Sequence, residues 1–387
     1  MKIKVIIAGF GKPELDLKHA ILKNNVERLR TSVHEYDVDI HIYDETVFVV
    51  DGIDVNYHYE KGYPGSFLYS YQNKDLEGYD FVLLFMDDVE LHFSVDDFIR
   101  DCLAQGSDTE STIFSPCLSS EIVRHDASLD HMFCKEGRDV PYKIVDENLE
   151  YFCYFMDCPT FRRYISYFTP LTKCMWGLDV IIPYRFHAYI MYNHTMTHYL
   201  QGGINGLDTM GEYNSNLNSI TLSDIRSLLT HTSEEWRNRL TILNRYLSEG
   251  MSVLDYQNET NLVSYTCCVR SCSEIHIMNN IRLFYAKDLN IVSRFGKFHF
   301  HSSNLIHVGI EVDVAVINIR YMHLSLDEFA RNNHIRQYLV LLHYTHNDNW
   351  TTLMSDPYRI VYSSRKNDMM VVRCNHTPQG STADPCP

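Results

Sequence analysis

The feature that most constrains this chain is a repeated alternation. A short, β-branched apolar run able to be buried on both faces is followed by a stretch with helical apolar spacing. Lys2 to Phe10 is such a run, and Leu17, Ile21, Leu22, Val26 and Leu29 then recur at helical intervals. Val38–Tyr43 predicts a second strand. Tyr79–Met86 predicts a third, strongly apolar one that stops abruptly at Asp87-Asp88-Val89-Glu90, with a helix following from Ser94 to Ala104. Strands separated by helices predict an α/β chain with a doubly wound, mostly parallel sheet, in which ligands bind beyond the carboxyl ends of the strands. Asp87 and Asp88 stand at such an end.

A length of 387 residues exceeds one ordinary domain and predicts two. After Thr112-Ile-Phe-Ser-Pro116 the chain is polar through Gly137. It resumes with the acidic-aromatic Leu149–Asp157, a helix over Pro159–Phe168, Trp176-Gly177-Leu178-Asp179, and a strand Ala188–Tyr192 leading to His194 and His198. The glycine- and asparagine-rich stretch 202–219 marks the boundary, giving a first domain over 1–210 and a linker over 211–232. The second domain, 233–374, opens with an amphipathic helix, Ser233–Glu249, anchored by Trp236, Leu240, Leu243 and Leu247. Strands at Ser252–Asp255, Val312–Ile319 and Gln337–His343 and a helix at Leu326–Asn332 follow. A terminal hairpin, Tyr358–Ser363 with Met369–Arg373, turns at Arg365–Asp368, and the domain is again α/β. The polar segment 375–387 is expected to be a disordered tail.

Composition narrows the partners. With 45 % hydrophobic and 22 % charged residues and only 17 Gly and 11 Pro, the chain is globular. A formal net charge of −16, without a basic run, repels a phosphate backbone, so nucleic acid is not an expected partner. No apolar run reaches the length of a membrane span, and the first residues are too short for a secretory h-region, so a soluble, cytoplasmic protein is expected. The 11 cysteines are odd in number and several sit in apolar runs (Cys117, Cys153, Cys267, Cys268), which reads as buried thiols.

Adjacent carboxylates at the tip of a buried strand repel one another. A solvated, helix-capping turn tolerates them. A hard divalent cation, Mn²⁺ or Mg²⁺, relieves them and can bridge to a diphosphate. The ordered set Phe85-Met-Asp-Asp-Val-Glu90, Phe114-Ser-Pro116, Glu150–Asp157, Trp176-Gly-Leu-Asp179 and His198 resembles nucleotide-sugar glycosyltransferases of the GT-A fold. Within them it is most similar to a plant and bacterial group with an Asp-Asp-Asp-Val segment and a Gly-Trp-Gly-Leu-Asp segment, and to glycosyltransferases of large algal viruses. Met86-Asp87-Asp88 replaces the three aspartates of that pattern, which leaves open whether Asp88 pairs with Asp87 or with Glu90. The resemblance implies a UDP- or GDP-sugar donor and a glycan or glycoprotein acceptor. It also implies that Asp88, with Asp87 or Glu90, binds the metal next to the donor. His198 would complete the shell, with His194 as its competitor. Asp179 would take the acceptor proton, with Trp176 and Glu150 on the acceptor side. Gly9 and Asp44, at the ends of the first two strands, would lie against the nucleotide.

The second half, through Trp236–Asp255, Val312–Ile319, Met322-His-Leu324, Tyr338–Leu342 and the hairpin, resembles class I S-adenosylmethionine-dependent methyltransferases. It departs at the turn after the first strand, where Tyr256-Gln-Asn-Glu-Thr260 replaces the glycines that let the backbone approach the cofactor. A degenerate methyltransferase-like domain serving acceptor docking or assembly is therefore expected. Two alternatives stand beside this reading: a methyltransferase acting on a glycan held by the first half, and a non-catalytic carbohydrate-binding scaffold.

Overall fold

The computed structural model describes residues 1–10, 15–43, 55–59, 66–106, 111–119, 131–134, 140–146, 148–173, 178–199, 210–256, 261–279, 290–302, 310–321, 329, 333–346 and 358–374. The chain divides into two compact units, Met1–Ile220 and Thr221–Pro387.

The first unit runs β1 (Lys2–Phe10), α1 (Leu15–Arg30), β2 (Glu35–Tyr43), β3 (Asn56–Tyr59), α2 (Phe67–Ser70), β4 (Phe81–Met86), β5 (Val89–Leu91), α3 (Val95–Gly106), β6 (Thr112–Leu118), β7 (Tyr142–Ile144), β8 (Cys153–Asp157), α4 (Cys158–Ile165), α5 (Leu178–Arg185), β9 (His187–His198) and α6 (Met210–Asn218). Its sheet has the order β3-β2-β1-β4-β8-β6-β9-β5, with β7 also on β9. β1 to β4 are mutually parallel, β8 runs antiparallel to both β4 and β6, and β6 is parallel to β9. The parallel half follows from burial: Ile3, Val5, Ile6, Ile7 and Ala8 of β1 and Val82, Leu84 and Phe85 of β4 are fully enclosed, so these strands take core on both faces. Strand β9 continues beyond the expected end at Tyr192 to His198. Its ladder with β6 shifts from Pro116 opposite Met191 to Cys117 opposite Thr195, so Tyr192, Asn193 and His194 bulge out. Proline lacks the ladder donor, and a bulge there bends the strand. The redirected end of β9 pairs antiparallel with β5, Val89 opposite His198.

The stretch 211–232, expected as a linker, is mostly helical. α6 packs against α5 and buries Leu217, which outweighs the poor helix propensity of its asparagines and glycine. α7 (Leu222–His231) opens the second unit with a capping box between Thr221 and Asp224. After it come α8 (Glu234–Leu243), β10 (Ser252–Tyr256), α9 (Leu262–Val269), β11 (Glu274–Asn279), β12 (Lys297–Ser302), β13 (Glu311–Asn318), β14 (His334–Leu342), β15 (Tyr358–Ser364) and β16 (Met369–Cys374). α8 ends earlier than the expected Glu249, and the chain turns at Gly250, whose φ of +80° glycine adopts without penalty. The sheet order is β12-β11-β10-β13-β14-β16-β15, five parallel strands closed by the antiparallel hairpin expected from the sequence. This sheet reverses direction between β10 and β13, and the second unit is α/β, as expected from the sequence. Of the expected helix 326–332 only Phe329 is described, and the tail 375–387 lies outside the described residues. Among the described residues no helix is long and apolar enough to cross a membrane, and all nine described cysteines are free.

Candidate functional site

In an open α/β sheet the crevice forms where the strand order reverses, which in the first unit is between β1 and β4. The chain leaves β4 through Asp87 and Asp88, and the Asp87 amide donates to the Ala8 carbonyl at 3.0 Å, setting the turn beside buried Gly9 at the end of β1. The Met86 amide donates to the Phe152 carbonyl at 3.1 Å, which brings the segment before β8 against the same turn.

The adjacent carboxylates diverge. Asp87 turns inward to Lys18 of α1, with Oδ2 3.0 Å from Nζ and the two side chains 3 % and 2 % exposed. Asp88 faces the end of β9, with Oδ2 3.3 Å from His198 Nε2, and the His198 ring stacks on Phe152 at 4.4 Å between centroids. Asp88 Oδ1 is buried and has no hydrogen-bond partner among the described residues. A buried carboxylate oxygen in that state is costly unless a cation or donor reaches it. Glu90 points elsewhere: its carboxylate accepts from the Tyr199 hydroxyl at 2.5 Å and from the Asn24 amide at 3.1 Å. Burial raises the Glu90 pKa, but these hydrogen bonds outweigh it and hold the group below its ordinary value. Burial, with the bond to Glu90, pushes Tyr199 up to about 12.

The structure thus brings together Asp88 and His198 and hands Asp87 and Glu90 to other partners. His194, the competitor for the histidine role, sits in the β9 bulge with Nε2 2.9 Å from Asp101 Oδ2 on α3, edge-on to Phe93 and Phe98. Asp179 is buried in the first turn of α5, its carbonyl accepting from the Leu149 amide at 3.1 Å. Burial, and after it the Asp179 charge, raises the pKa of the Tyr164 hydroxyl. Glu150 is half-buried, and its carbonyl accepts from the Phe152 amide at 2.9 Å, so it belongs to the loop that carries the ring stacked on His198. Trp176 and Asp44 lie outside the described residues.

Helix α1 supplies what the motifs did not announce. Besides Lys18, buried Asn25 donates to the Val89 carbonyl at 2.7 Å and accepts from the Leu91 amide at 3.0 Å, so one side chain satisfies a carbonyl and an amide on the edge of β5 that faces away from β9. The available signal was spacing: Lys18 and Asn25 share the helical face of Ile21, Leu22 and Leu29, where a polar residue is buried for a partner. In the second unit, Asp255 is buried near the end of β10, and its carboxylate accepts from the Ser264 hydroxyl of α9 at 2.8 Å. Residues 257–260, the turn that departs from the methyltransferase pattern, lie outside the described residues.

No protein-family model matches the sequence, and no curated protein matches it. Among solved structures, the chain is similar to the N-methyltransferase NodS from Bradyrhizobium japonicum WM9, with 12 % identity over 36 % of this chain and 95 % of that one and a TM-score of 0.29. It is also similar to the 16S rRNA methylase RmtB, with 11 % identity over 45 % and 77 % of the two chains and a TM-score of 0.32. A third is a protein of the NADB-Rossmann superfamily from Streptococcus agalactiae, with 15 % identity over 38 % and 71 % and a TM-score of 0.27. Likeness at these scores identifies no activity; the strand orders above describe each unit by itself.

Proposed function

We propose that the chain is a metal-dependent glycosyltransferase that moves a sugar from a UDP- or GDP-sugar to a glycan acceptor. The observation that carries this reading is Asp88 Oδ1, a buried carboxylate oxygen without a hydrogen-bond partner among the described residues, at the strand-order reversal of the first unit's mixed sheet and beside His198. A parallel β3-β2-β1-β4 run followed by an antiparallel strand also suits the GT-A reading. The residues fit a hard cation: Asp88 with His198 supplies one carboxylate and one imidazole, leaving the remaining positions to water and diphosphate oxygens, as Mg²⁺ and Mn²⁺ prefer. Bound there, the ion would offset negative charge on the departing diphosphate. Lys18 neutralises Asp87 and fixes the turn, while Asn25, Asn24 and Tyr199 hold β5 and the end of β9, so that Asp88 and His198 are presented together. Asp179 serves as the acceptor base in this reading, with Glu150 and Trp176 on the acceptor side and Gly9 and Asp44 on the donor side. The second unit docks the acceptor.

A second reading is S-adenosylmethionine-dependent methylation of a glycan held by the first unit. It is favoured by the strand order of the second unit and by buried Asp255 near its own reversal point. The two separate in one experiment on the full chain: donor sugars with Mn²⁺ should yield free nucleoside diphosphate, and EDTA should abolish it. Transfer of labelled methyl from S-adenosylmethionine to a glycan, without donor turnover, would select the second reading.

A further inference from the structure

Two clusters away from Asp88 bring histidine and carboxylate atoms within 4.8 Å of one another: Asp39, His41 and His58 in the first unit, and Glu274, His276 and His299 in the second. In the first, lysines already hold the cation's place. Largely buried Lys4 Nζ lies 2.8 Å from Asp39 Oδ1, and Lys74 Nζ lies 3.8 Å from Oδ2.

The second cluster is built differently. β11 and β12 pair in parallel at the sheet edge with Glu274 opposite Lys297, His276 opposite His299 and Met278 opposite His301. Side chains alternate along a strand, so Glu274, His276, Lys297, His299 and His301 all share one face. The His276 ring stacks on His299 at 4.7 Å and on His301 at 5.2 Å. His276 Nε2 lies 3.9 Å from Glu274 Oε2, and His299 Nε2 lies 4.0 Å from Glu274 Oε1. His299 Nε2 is buried without a hydrogen-bond partner among the described residues. On its far side, His276 Nδ1 is 2.9 Å from His301 Nε2.

We propose that Glu274, His276 and His299 form a zinc-type metal site at the edge of the second sheet, with His301 as the outer partner that orients His276. Ligand atoms about 2.0–2.2 Å from a tetrahedral Zn²⁺ stand roughly 3.4 Å apart, so the two carboxylate–imidazole separations of 3.9 and 4.0 Å close with shifts of about half an ångström, and the three ligand atoms already lie within 4.8 Å of one another. A His276 Nδ1–H donating to His301 leaves the Nε2 lone pair free for the metal, the arrangement in which ligating histidines are normally held. Two imidazoles and one carboxylate favour a borderline ion over Mg²⁺ or Ca²⁺. Lys297 pairs with Glu274 and competes for it, but its side chain is 64 % exposed and free to swing away. Glu274 and Lys297 begin their strands, so the site lies toward the amino ends, opposite the carboxyl-end crevice where such a sheet takes a cofactor. Its role is to clasp the edge strand β12 to β11.

The test is zinc titration of the chelator-stripped full chain against a chromophoric chelator, with Co²⁺ absorption as a second readout. The parent should take up one Zn²⁺ that Glu274→Gln and His299→Gln do not, with intense tetrahedral Co²⁺ bands lost in the same variants. His301→Gln should bind about 10- to 100-fold more weakly, and Lys297→Ala, at an exposed position, should bind more tightly. Circular dichroism checks that each variant is folded. Parent stoichiometry and affinity retained in both ligand variants, or Lys297→Ala binding no more tightly than the parent, would overturn the site.

Discussion

Replacing Lys18 by methionine tests the geometry of the candidate site at its least expected point. The Lys18–Asp87 pair is 2 % and 3 % exposed with a 3.0 Å separation, so solvent screens little of it. Methionine keeps most of the lysine volume and apolar stem while leaving the Asp87 carboxylate buried without its cation. Removing one partner of a buried pair costs about 3–5 kcal/mol, far more than the net worth of the intact pair, because the remaining charge has lost both water and counter-ion. For a unit of this size that is a fall in midpoint of about 6–20 °C. Urea unfolding of the full chain, followed by tyrosine fluorescence and circular dichroism, should show the loss in the transition of the first unit and leave that of the second in place. Lys18→Met with Asp87→Asn should recover at least half of it, because neither member of the pair then leaves a charge behind. A Lys18→Met midpoint within about 1 kcal/mol of the parent would refute the buried pair. Rescue of that variant by Mn²⁺, with no effect of Mn²⁺ on the parent, would make Asp87 a metal ligand instead.

Three further outcomes follow from the same structure. Asp179→Asn should lower kcat about 10²- to 10⁴-fold at saturating acceptor if Asp179 takes the acceptor proton, whereas a change in KM alone would make it a binding residue. Calorimetry of the full chain with about 1 mM S-adenosylmethionine should show no saturable heat, since binding near −4 kcal/mol would register there; saturable heat would move the account to methyl transfer. Burial pushes the Asp39 carboxyl up, but hydrogen bonds from Lys4 and Tyr71, the Lys4 charge and His58 outweigh it and hold it well below the ordinary carboxylate range. A folded pKa below the unfolded one stabilises at higher pH, and that contribution fades as pH falls below about 4. Urea midpoints of the first unit should therefore drop more steeply on acidification in the parent than in Asp39→Asn, and equal slopes would contradict the assignment.

How much was legible varies with what each element buries. β1 and β4 could be read because Val5–Ala8 and Phe81–Met86 are apolar without interruption, and the terminal hairpin because its turn is polar and its arms are largely apolar. The direction of β8 leaves no trace in period or composition, so its antiparallel placement could be learned only from its neighbours. The far half of β9 hid behind Asn193 and His194, polar residues that the bulge turns out of the ladder. The helices over 210–231 hid behind asparagines and serines, which favour turns until tertiary burial of Leu217, Ile225 and Leu228 decides otherwise. At the site, the acidic tip and His198 were readable as residue types at a strand end, whereas the division of labour between Asp87, Asp88 and Glu90 was not. That division is set by Lys18, Asn24 and Tyr199, whose partners are remote in sequence. The alternation Glu274-x-His276 and Lys297-x-His299-x-His301 was in plain view, but it acquires meaning only once β11 and β12 are known to pair in register.

The most direct test of the central claim is calorimetric titration of UDP and GDP into the full chain with Mn²⁺ present, comparing the parent with Asp88→Asn. The parent should bind at least one of the two nucleotides saturably only when Mn²⁺ is present. The Asn variant, equal in shape but without the charge, should lose the Mn²⁺-dependent part while keeping the parent's unfolding midpoint in metal-free buffer. Equal Mn²⁺-dependent affinity in the two proteins, or no nucleotide binding by the parent at any Mn²⁺ concentration, would contradict the assignment of Asp88 and with it the glycosyltransferase account.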